Sequence, residues 1–170
     1  YTIDEDTGLH TGQSNLPAGV VPQRWSEKGN YYAFVAGSIS WTDANDAATG
    51  LQFLASSGRL VTITSAAEQN FLTDSILQSL RNSHFNIWIG LNDVAVEGDY
   101  RWVTGEPFAY SNWQPGEPNS IGDQDDYIHL VEDNGRFPWN DRSNLNHDGY
   151  VVEFLGPFAF PLINNDTDAE

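Results

Sequence analysis

The segment from Gly105 to Gln124 places the strongest constraint on the fold, because it shows neither helical nor strand periodicity. It consists mainly of turn-forming Gly, Pro, Asn, Asp and Ser residues, and it also contains Tyr110 and Trp113. An irregular segment of this length inside a domain is usually either functional or disordered. Embedded aromatic side chains argue against disorder. We therefore predict a long ordered loop that carries the function of the domain.

Two amphipathic helices are predicted on the N-terminal side of this loop. Ser40 followed by Asp43 resembles a capping box and opens a helix from Trp41 to about Leu54. Ser65 followed by Glu68 is a second capping-box pattern. Apolar residues recur behind it at helical spacing, namely Phe71, Leu72, Ile76 and Leu80.

Short runs of β-branched and aromatic residues predict strands on both sides of the loop. These runs are Asn30–Trp41, Leu60–Thr64, Phe85–Leu91, Tyr100–Thr104, Tyr127–Glu132 and Tyr150–Leu155. Between the last two runs, a polar segment with Trp139, Asn140 and Asp141 is interpreted as a second loop. Together these elements predict an α+β domain with its function in the second half of the chain.

The length of the chain suits one well-filled domain. Residues 1–24 are polar and without clear period, so we interpret them as a lead-in or linker. We expect the folded domain over residues 25–157 and a tail or linker over residues 158–170. Tyr1 is not a native start, and no run reaches the roughly 20 apolar residues of a membrane span. The sequence is therefore interpreted as a piece of a longer protein, without membrane insertion.

The formal net charge is −17, from 24 acidic and 7 basic residues. Such a surface repels phosphate backbones and anionic lipid headgroups, so nucleic acids and membrane surfaces are poor partners. It attracts divalent cations, with a merely solvated acidic surface as the alternative. The chain has no cysteine, which excludes disulfides, thiolate metal sites and a cysteine nucleophile.

Carboxylates and amides gather at three places in the second half of the chain. The first is Asp93 with Glu97, the second is Glu117-Pro118-Asn119 with the acids that follow it, and the third is Asn140-Asp141. Calcium takes six to eight oxygen ligands of these kinds. Zinc would need His or Cys, and the histidines of this region are isolated in sequence. The pattern favours calcium, with acidic loops that serve only solubility as the alternative.

Several motifs occur in the order and at the separations found in one known family. They are WIGLND from Trp88, EPN from Glu117, WND from Trp139 and GYVVEF from Gly149. Each motif is weak alone, but together they make the chain, from about Trp25 to Gly156, resemble the C-type lectin-like family. The most similar type is the cysteine-free variety found in large bacterial surface adhesins. The resemblance implies the C-type lectin-like fold, with two helices, small antiparallel sheets and a long calcium-binding loop region.

The resemblance also implies a calcium site that binds sugar. Its ligands would be Glu117, Asn119, Asp125, Asn140 and Asp141. Two coordination positions of the ion stay open for two vicinal hydroxyls of a sugar. Glu117 would accept a hydrogen bond from one hydroxyl, and Asn119 would donate one. In the family this order implies mannose, glucose or fucose, whereas galactose-type members carry QPD. A cis peptide is expected before Pro118.

A second calcium site of the family would use four acids, Asp93, Glu97, Asp125 and Asp126. Ser120 replaces one of the acids that usually complete this site. The replacement predicts a weaker site, a site completed by water, or a site rescued by Asp123. The alternative is that Asp93 and Glu97 only cap a turn.

Most of the large aromatic residues are interpreted as structural, in the core or as anchors of the loop. They are Trp25, Trp41, Trp88, Trp102, Trp113 and Trp139. The candidates for contact with a sugar ring are Tyr110 and Phe137.

The sequence thus predicts a calcium-dependent carbohydrate-binding module without catalysis. Its partners would be cell-surface glycans with mannose, glucose or fucose, and its setting a larger bacterial cell-surface adhesin outside the cell. A glycosidase built on Glu117 and Asp141 is disfavoured, because it needs one acid with a raised pKa and a calcium ion would keep both ionised. The remaining alternative is a calcium-stabilised lectin-like domain that binds protein, ice or another non-sugar ligand.

Overall fold

The computed structural model describes residues 14–120 and 124–157, which form two α-helices and nine strands. In chain order they are β1 Gln23–Arg24, β2 Tyr31–Ile39, α1 Trp41–Gly50, β3 Gln52–Phe53, β4 Ser56–Leu60, α2 Ala66–Phe71, β5 Asn86–Asn92, β6 Arg101–Trp102, β7 Tyr127–Val131, β8 Trp139–Arg142 and β9 His147–Phe154. The α+β class is therefore confirmed. Residues 1–13 of the predicted lead-in, Asp123 and the predicted tail lie outside the described residues.

Helix α1 begins as predicted but ends earlier. The Ser40 hydroxyl accepts a hydrogen bond from the amide three residues further on, at 3.2 Å, and so satisfies one free N–H of the first turn. The helix ends at Gly50 instead of Leu54, because Leu51 is extended and its N–H donates back to the last turn. Leu54 itself has a left-handed φ of 49° in the turn between β3 and β4, which is incompatible with a continuing right-handed helix.

Helix α2 is short and continues into two irregular turns. Ser65 caps it by accepting a hydrogen bond from the amide of Glu68 at 3.2 Å. After α2 the chain forms a π-helical turn, Leu72–Ile76, and then a 3-10 turn, Gln78–Leu80. The predicted apolar stripe is confirmed, since Leu72 and Ile76 are buried in the core.

The strands form one connected sheet with the order β1-β2-β9-β5-β7-β8, and β4 also pairs with β9. All pairs are antiparallel except β5 and β9, where Trp88 lies opposite Tyr150 in parallel. This parallel strand pair joins what the sequence predicts as separate small antiparallel sheets. Neither helix of the described residues has the length and apolarity needed to cross a bilayer.

Strand β8 corrects the interpretation of Trp139–Arg142 as a loop. It pairs antiparallel with β7, with Ile128 opposite Asp141 and His129 opposite Asn140. Its side chains alternate, because Trp139 and Asp141 are buried while Asn140 is only partly so. This alternation could not be recognised from the sequence, since Asn and Asp are typical of turns whichever face of a strand they occupy.

Other strands also differ from prediction in their bounds; β9, for example, begins at His147 instead of Tyr150. β6 covers only Arg101–Trp102 of the predicted Tyr100–Thr104. β4 ends at Leu60, where the predicted strand began. Val61 nevertheless continues the backbone pairing, since its carbonyl accepts a hydrogen bond from the amide of Gly90 at 2.9 Å.

A buried polar network helps to hold this cysteine-free domain together. Glu68 and Glu153 are both fully buried. The Tyr32 phenol donates to Glu68 at 2.7 Å, and Lys28 and Arg59 form ion pairs with Glu68 and Glu153, each at 3.2 Å. Burial of a carboxylate is tolerated when it is paired and hydrogen-bonded in this way. The network links β2, β4, α2 and β9 without a covalent bond.

The buried His129, whose ring lies 4.4 Å from that of the partly buried His147, makes the fold sensitive to acid. Burial lowers the pKa of His129 to about 3, with the charge of His147 adding to the effect. The unfolded chain, with a histidine pKa of about 6.5, therefore takes up the proton first as the pH falls. We therefore expect His129 alone to lower the free energy of unfolding by about 2 kcal/mol as the pH falls from about 7.5 to about 5.

Chemical denaturation at the two pH values tests this expectation. His129→Leu should reduce the loss of stability between them, because the variant has no proton to take up at this position. Gln78→Leu, which introduces the same side chain at an exposed position without a titratable group, is the control and should leave the loss unchanged. An equal loss in His129→Leu and in the parent would contradict the prediction.

Candidate functional site

The long loop packs against β8. Trp113 forms a parallel bridge with Trp139, and the amide of Gln114 donates to the carbonyl of Trp139 at 2.8 Å. The indole of Trp139 is fully buried and meets the rings of Trp102, Tyr110 and Trp113 edge-on, each with centroids 5.7 Å apart. The prediction of an ordered loop anchored by aromatic rings is confirmed for its described part.

The two residues predicted to contact a sugar ring have different surroundings from those expected. Phe137 is buried with 1% of its surface exposed, so its assignment as a sugar contact is wrong. Tyr110 is partly buried because its ring packs on Trp139. Both residues contribute to the core under the loop.

Gln69 is a positioning residue that the sequence analysis missed. Its amide oxygen accepts from the indole N–H of Trp139 at 2.8 Å, and its amide nitrogen donates to the carbonyl of Phe137 at 3.2 Å. Gln69 is 4% exposed and therefore fixes the start of β8 from within the core. One signal could have identified Gln69. It is an uncharged polar residue on the buried face of α2, and a buried polar side chain needs a hydrogen-bond partner.

Four of the five residues predicted for the first calcium site lie together. The Asn140 amide donates to Glu117 Oε1 at 3.3 Å. The backbone amide of Asn119 donates to Asp141 Oδ1 at 3.2 Å. The peptide between Glu117 and Pro118 is cis, as predicted. The backbone pairing of Trp113 with Trp139 explains this proximity, because it sets the end of the loop beside β8.

Among the described residues, no cationic side chain forms an ion pair with the carboxylates of this group. Glu117 Oε2 is buried and has no hydrogen-bond partner within the described part of the chain. Burial raises the pKa of Glu117, and the neighbouring Asp141 carboxyl raises it further.

These donors fit a hard cation. Two carboxylates and two amide side chains supply oxygen ligands only, which suits calcium and does not suit zinc. An ion beside Glu117 Oε2 would supply the partner that this buried atom lacks. Asp125, the fifth predicted ligand, is 9% exposed, and the structure describes no hydrogen bond between it and the other four.

The acids of the predicted second site lie near one another but do not converge. Asp93 is buried; its Oδ2 accepts from the amide of Gly98 at 2.8 Å, and its Oδ1 has no partner among the described residues. Burial raises the pKa of Asp93, and the charges of Glu97 and Asp126 add to this. Across residues 14–120 and 124–157, no three Asp, Glu or His side chains come together as metal ligands.

Tyr100 lies between the two acidic groups and was also missed by the sequence analysis. Burial raises the pKa of its phenol, and charges on both sides, Asp93 and Asp141, raise it further. Its ring packs on Trp113 with centroids 5.2 Å apart. The phenol of Tyr100 therefore lies close enough to both groups for the charge of each to act on it. These features together define a small α+β domain whose candidate site lies on one long loop and the adjoining strand.

The chain belongs to the C-type lectin domain family, whose model, described as "Lectin C-type domain", matches residues 37–154. The mouse low affinity immunoglobulin epsilon Fc receptor is 39% identical over 140 residues, which cover 80% of this chain and 38% of that receptor. The chain therefore spans well under half of this relative.

Solved structures agree with this assignment. The C-type lectin CEL-I from Cucumaria echinata aligns with a TM-score of 0.70 at 25% identity, over 82% of this chain and 97% of that one. The carbohydrate-recognition domain of cow CD23, solved in the presence of a GlcNAc2Man3 oligosaccharide, aligns with a TM-score of 0.65 at 32% identity, over 85% and 99% of the two chains. Since the relatives are lectins and receptors, the domain is a binding domain and not an enzyme.

Proposed function

We propose that the domain binds glycans through a calcium ion held by Glu117, Asn119, Asn140 and Asp141, with Asp125 as the fifth ligand. The observation that carries the proposal is the buried Glu117 Oε2, which has no partner in the described structure and lies beside a second carboxylate. A buried carboxylate oxygen without a partner is costly, and a bound cation removes that cost. The uncompensated pair therefore supports a cation site at this position.

The chemistry of the ion supports a sugar as the ligand. Calcium has more coordination positions than these side chains fill, so two can accept vicinal hydroxyls. Glu117 would accept from one hydroxyl and Asn119 would donate to the other, an order that in the C-type lectin family implies mannose, glucose or fucose over galactose. The cow CD23 domain, solved in the presence of a mannose-containing oligosaccharide, supports the same class of ligand.

The biological setting that we propose is outside the cell, as the glycan-binding part of a larger bacterial cell-surface adhesin. One ion and a few hydrogen bonds hold a single ring, so the affinity for a monosaccharide would be on the order of millimolar. Linked copies on a surface would raise the effective concentration and allow firm adhesion. The acidic surface, with a net charge of −17, suits an ion-rich exterior where calcium is plentiful.

A glycan array, probed with calcium and again with chelator, tests the proposal. We expect binding to mannose, glucose or fucose structures in calcium and no binding in chelator. Binding that persists in chelator would contradict a role for the ion. If the domain takes up calcium but binds no glycan on the array, the result would instead favour the alternative, a protein or another non-sugar ligand.

Exchange of the EPN motif for QPD should change the sugar preference. Glu117→Gln with Asn119→Asp reverses which position accepts and which donates, so the double variant should move its preference from mannose toward galactose. Competition between the two sugars, measured in excess calcium, gives the ratio of their affinities. Ser111→Ala, a change at an exposed position of the same loop, is the control. If the parent protein bound galactose at least as tightly as mannose, this result would contradict the proposed specificity.

A further inference from the structure

Two histidines that are isolated in the sequence lie against each other in the fold. His129 is on β7 and His147 is the first residue of β9, and β5 lies between these two strands in the sheet. The centroids of their imidazole rings are 4.4 Å apart. The indole of Trp88, on β5, stacks on the ring of His147 at 4.0 Å and meets that of His129 edge-on at 5.6 Å. The sheet thus builds a compact histidine pair on one tryptophan.

The ring nitrogens of this pair lack partners. Both nitrogens of His129 and the Nε2 of His147 are buried and have no hydrogen-bond partner among the described residues. Buried imidazole nitrogens are usually hydrogen-bonded or bound to a metal. His129 is 4% exposed, whereas His147 is only partly buried and so connects the pair to solvent. Three such nitrogens on two adjoining rings indicate a ligand that both rings share.

The protonation state of the pair suits a metal ligand. Burial lowers the pKa of both histidines, that of His129 to about 3. Both rings are therefore neutral at pH 7, and a neutral imidazole carries a free lone pair on one nitrogen. Imidazole suits copper, nickel and zinc, whereas calcium takes oxygen ligands. The ion that fits this pair thus differs in class from the ion that fits the acidic loop.

The spacing of the rings matches two neighbouring ligands of one ion. With metal–nitrogen bonds of about 2.0–2.1 Å, two imidazoles at a right angle have centroids about 4.5 Å apart, and a tetrahedral angle places them about 5 Å apart. The observed 4.4 Å is nearer to the right angle. Square-planar and tetragonal coordination by nitrogen and oxygen is typical of Cu²⁺ and Ni²⁺. No third Asp, Glu or His joins the pair within residues 14–120 and 124–157, so water would complete the coordination.

We propose that His129 and His147 form a binding site for a divalent transition metal, with Cu²⁺ preferred, that links β7 to β9 across β5. The site shares no residue with the calcium site and goes beyond the function proposed above. A bound ion would join two strands that are not neighbours in the sheet, in a chain that has no cysteine for a disulfide.

Two neighbouring charges act on the pair in opposite directions. Besides burial, the charge of Arg142 lowers the pKa of both histidines, whereas that of Asp148 raises the pKa of His147. Arg142 therefore opposes a cation at the pair, and Asp148 attracts one. Both side chains are exposed, so water and salt screen their charges. Arg142→Gln should accordingly tighten the binding of the ion by about 2- to 5-fold.

The experiment is a Cu²⁺ titration of the whole chain in excess calcium by isothermal calorimetry, with electron paramagnetic resonance to count the nitrogen ligands. We expect the parent to bind one Cu²⁺ through two nitrogens, and to bind Zn²⁺ more weakly. His129→Leu and His147→Gln should each weaken Cu²⁺ binding by at least about 10-fold. His84→Gln, which removes an exposed histidine outside the pair, is the matched control and should bind Cu²⁺ like the parent.

Several results would overturn the metal site. One is a parent that binds no Cu²⁺, and another is an unchanged affinity in both His129→Leu and His147→Gln. Loss of Cu²⁺ in His84→Gln would place the ion at a surface histidine instead. Circular dichroism shows which variants are folded, and His147→Gln, at a partly exposed position, keeps the test decisive if His129→Leu folds poorly. None of these results bears on the calcium-dependent binding of glycans, which the glycan array measures separately.

Discussion

Calcium is expected to raise the melting temperature of the domain by about 5–10 °C. The ion would supply the missing partner of Glu117 Oε2 and remove the repulsion between Glu117 and Asp141. Extracellular calcium modules bind with dissociation constants of about 0.1–1 mM, so about 10 mM calcium stabilises the folded state by about 1–3 kcal/mol. Melting curves in calcium and in chelator measure the shift.

Two variants make this measurement specific. Glu117→Gln should lose most of the shift, because it removes one of the two uncompensated carboxylates. Asp46→Asn is the matched control, since this carboxylate is exposed and far from the loop in sequence, and it should keep the full shift. The same midpoint in calcium and in chelator would contradict the proposed ion.

Loss of sugar binding in Asn140→Ala is the other large effect that we expect. Asn140 is partly buried, and the only hydrogen bond described for its side chain goes to Glu117 at 3.3 Å. Removal of the Asn140 side chain should therefore leave the fold intact. The ion would lose one ligand and the sugar would lose one contact. We expect the affinity for mannose to fall by about 100-fold or more, beyond detection for a millimolar ligand.

Asp141 needs a more conservative change. Its carboxylate accepts hydrogen bonds from the amides of Asn119 and Ser120 and from the Ser120 hydroxyl. Asp141→Ala would leave these donors without a partner and cost about 1–3 kcal/mol of stability. Asp141→Asn keeps an acceptor oxygen and removes the charge, so it separates binding from folding.

Isothermal titration with mannose in excess calcium, alongside circular dichroism, measures both variants. Asn146→Ala serves as the control, because this asparagine is exposed and its described side-chain hydrogen bond goes to Ser38. If Asn140→Ala and Asp141→Asn both kept the affinity of the parent, the sugar site would have to lie elsewhere.

The helix starts were predictable because their cause is local. Ser40 and Ser65 each satisfy an amide three residues away, so the capping pattern is complete within four residues of sequence. The end of α1 depends on contacts that the pattern does not contain. The turn at Leu54 arises because β3 and β4 pair with each other and β4 pairs with β9, near the other end of the chain.

The candidate site was likewise predictable only in part. The order of the EPN and WND motifs predicted that Glu117, Asn119, Asn140 and Asp141 lie together. The structure brings these four residues together, Asn119 through its backbone amide. The residues that hold these four in place by hydrogen bonds could not be predicted from the motifs. Trp139, the first residue of β8, donates its indole N–H to Gln69, which lies 70 positions away in the chain.

The sequence by itself therefore determined the class of the domain, the starts of its helices and the residue types of its candidate site, because these follow from local pattern and from motif order. Tertiary structure alone decided that the WND segment is a strand, that Phe137 is buried and that Ser120 hydrogen-bonds to Asp141. It also decided that Glu117 Oε2 has no partner among the described residues. The physical reason is that burial and hydrogen bonding depend on what the rest of the chain places around an atom, and residue type alone does not specify those surroundings.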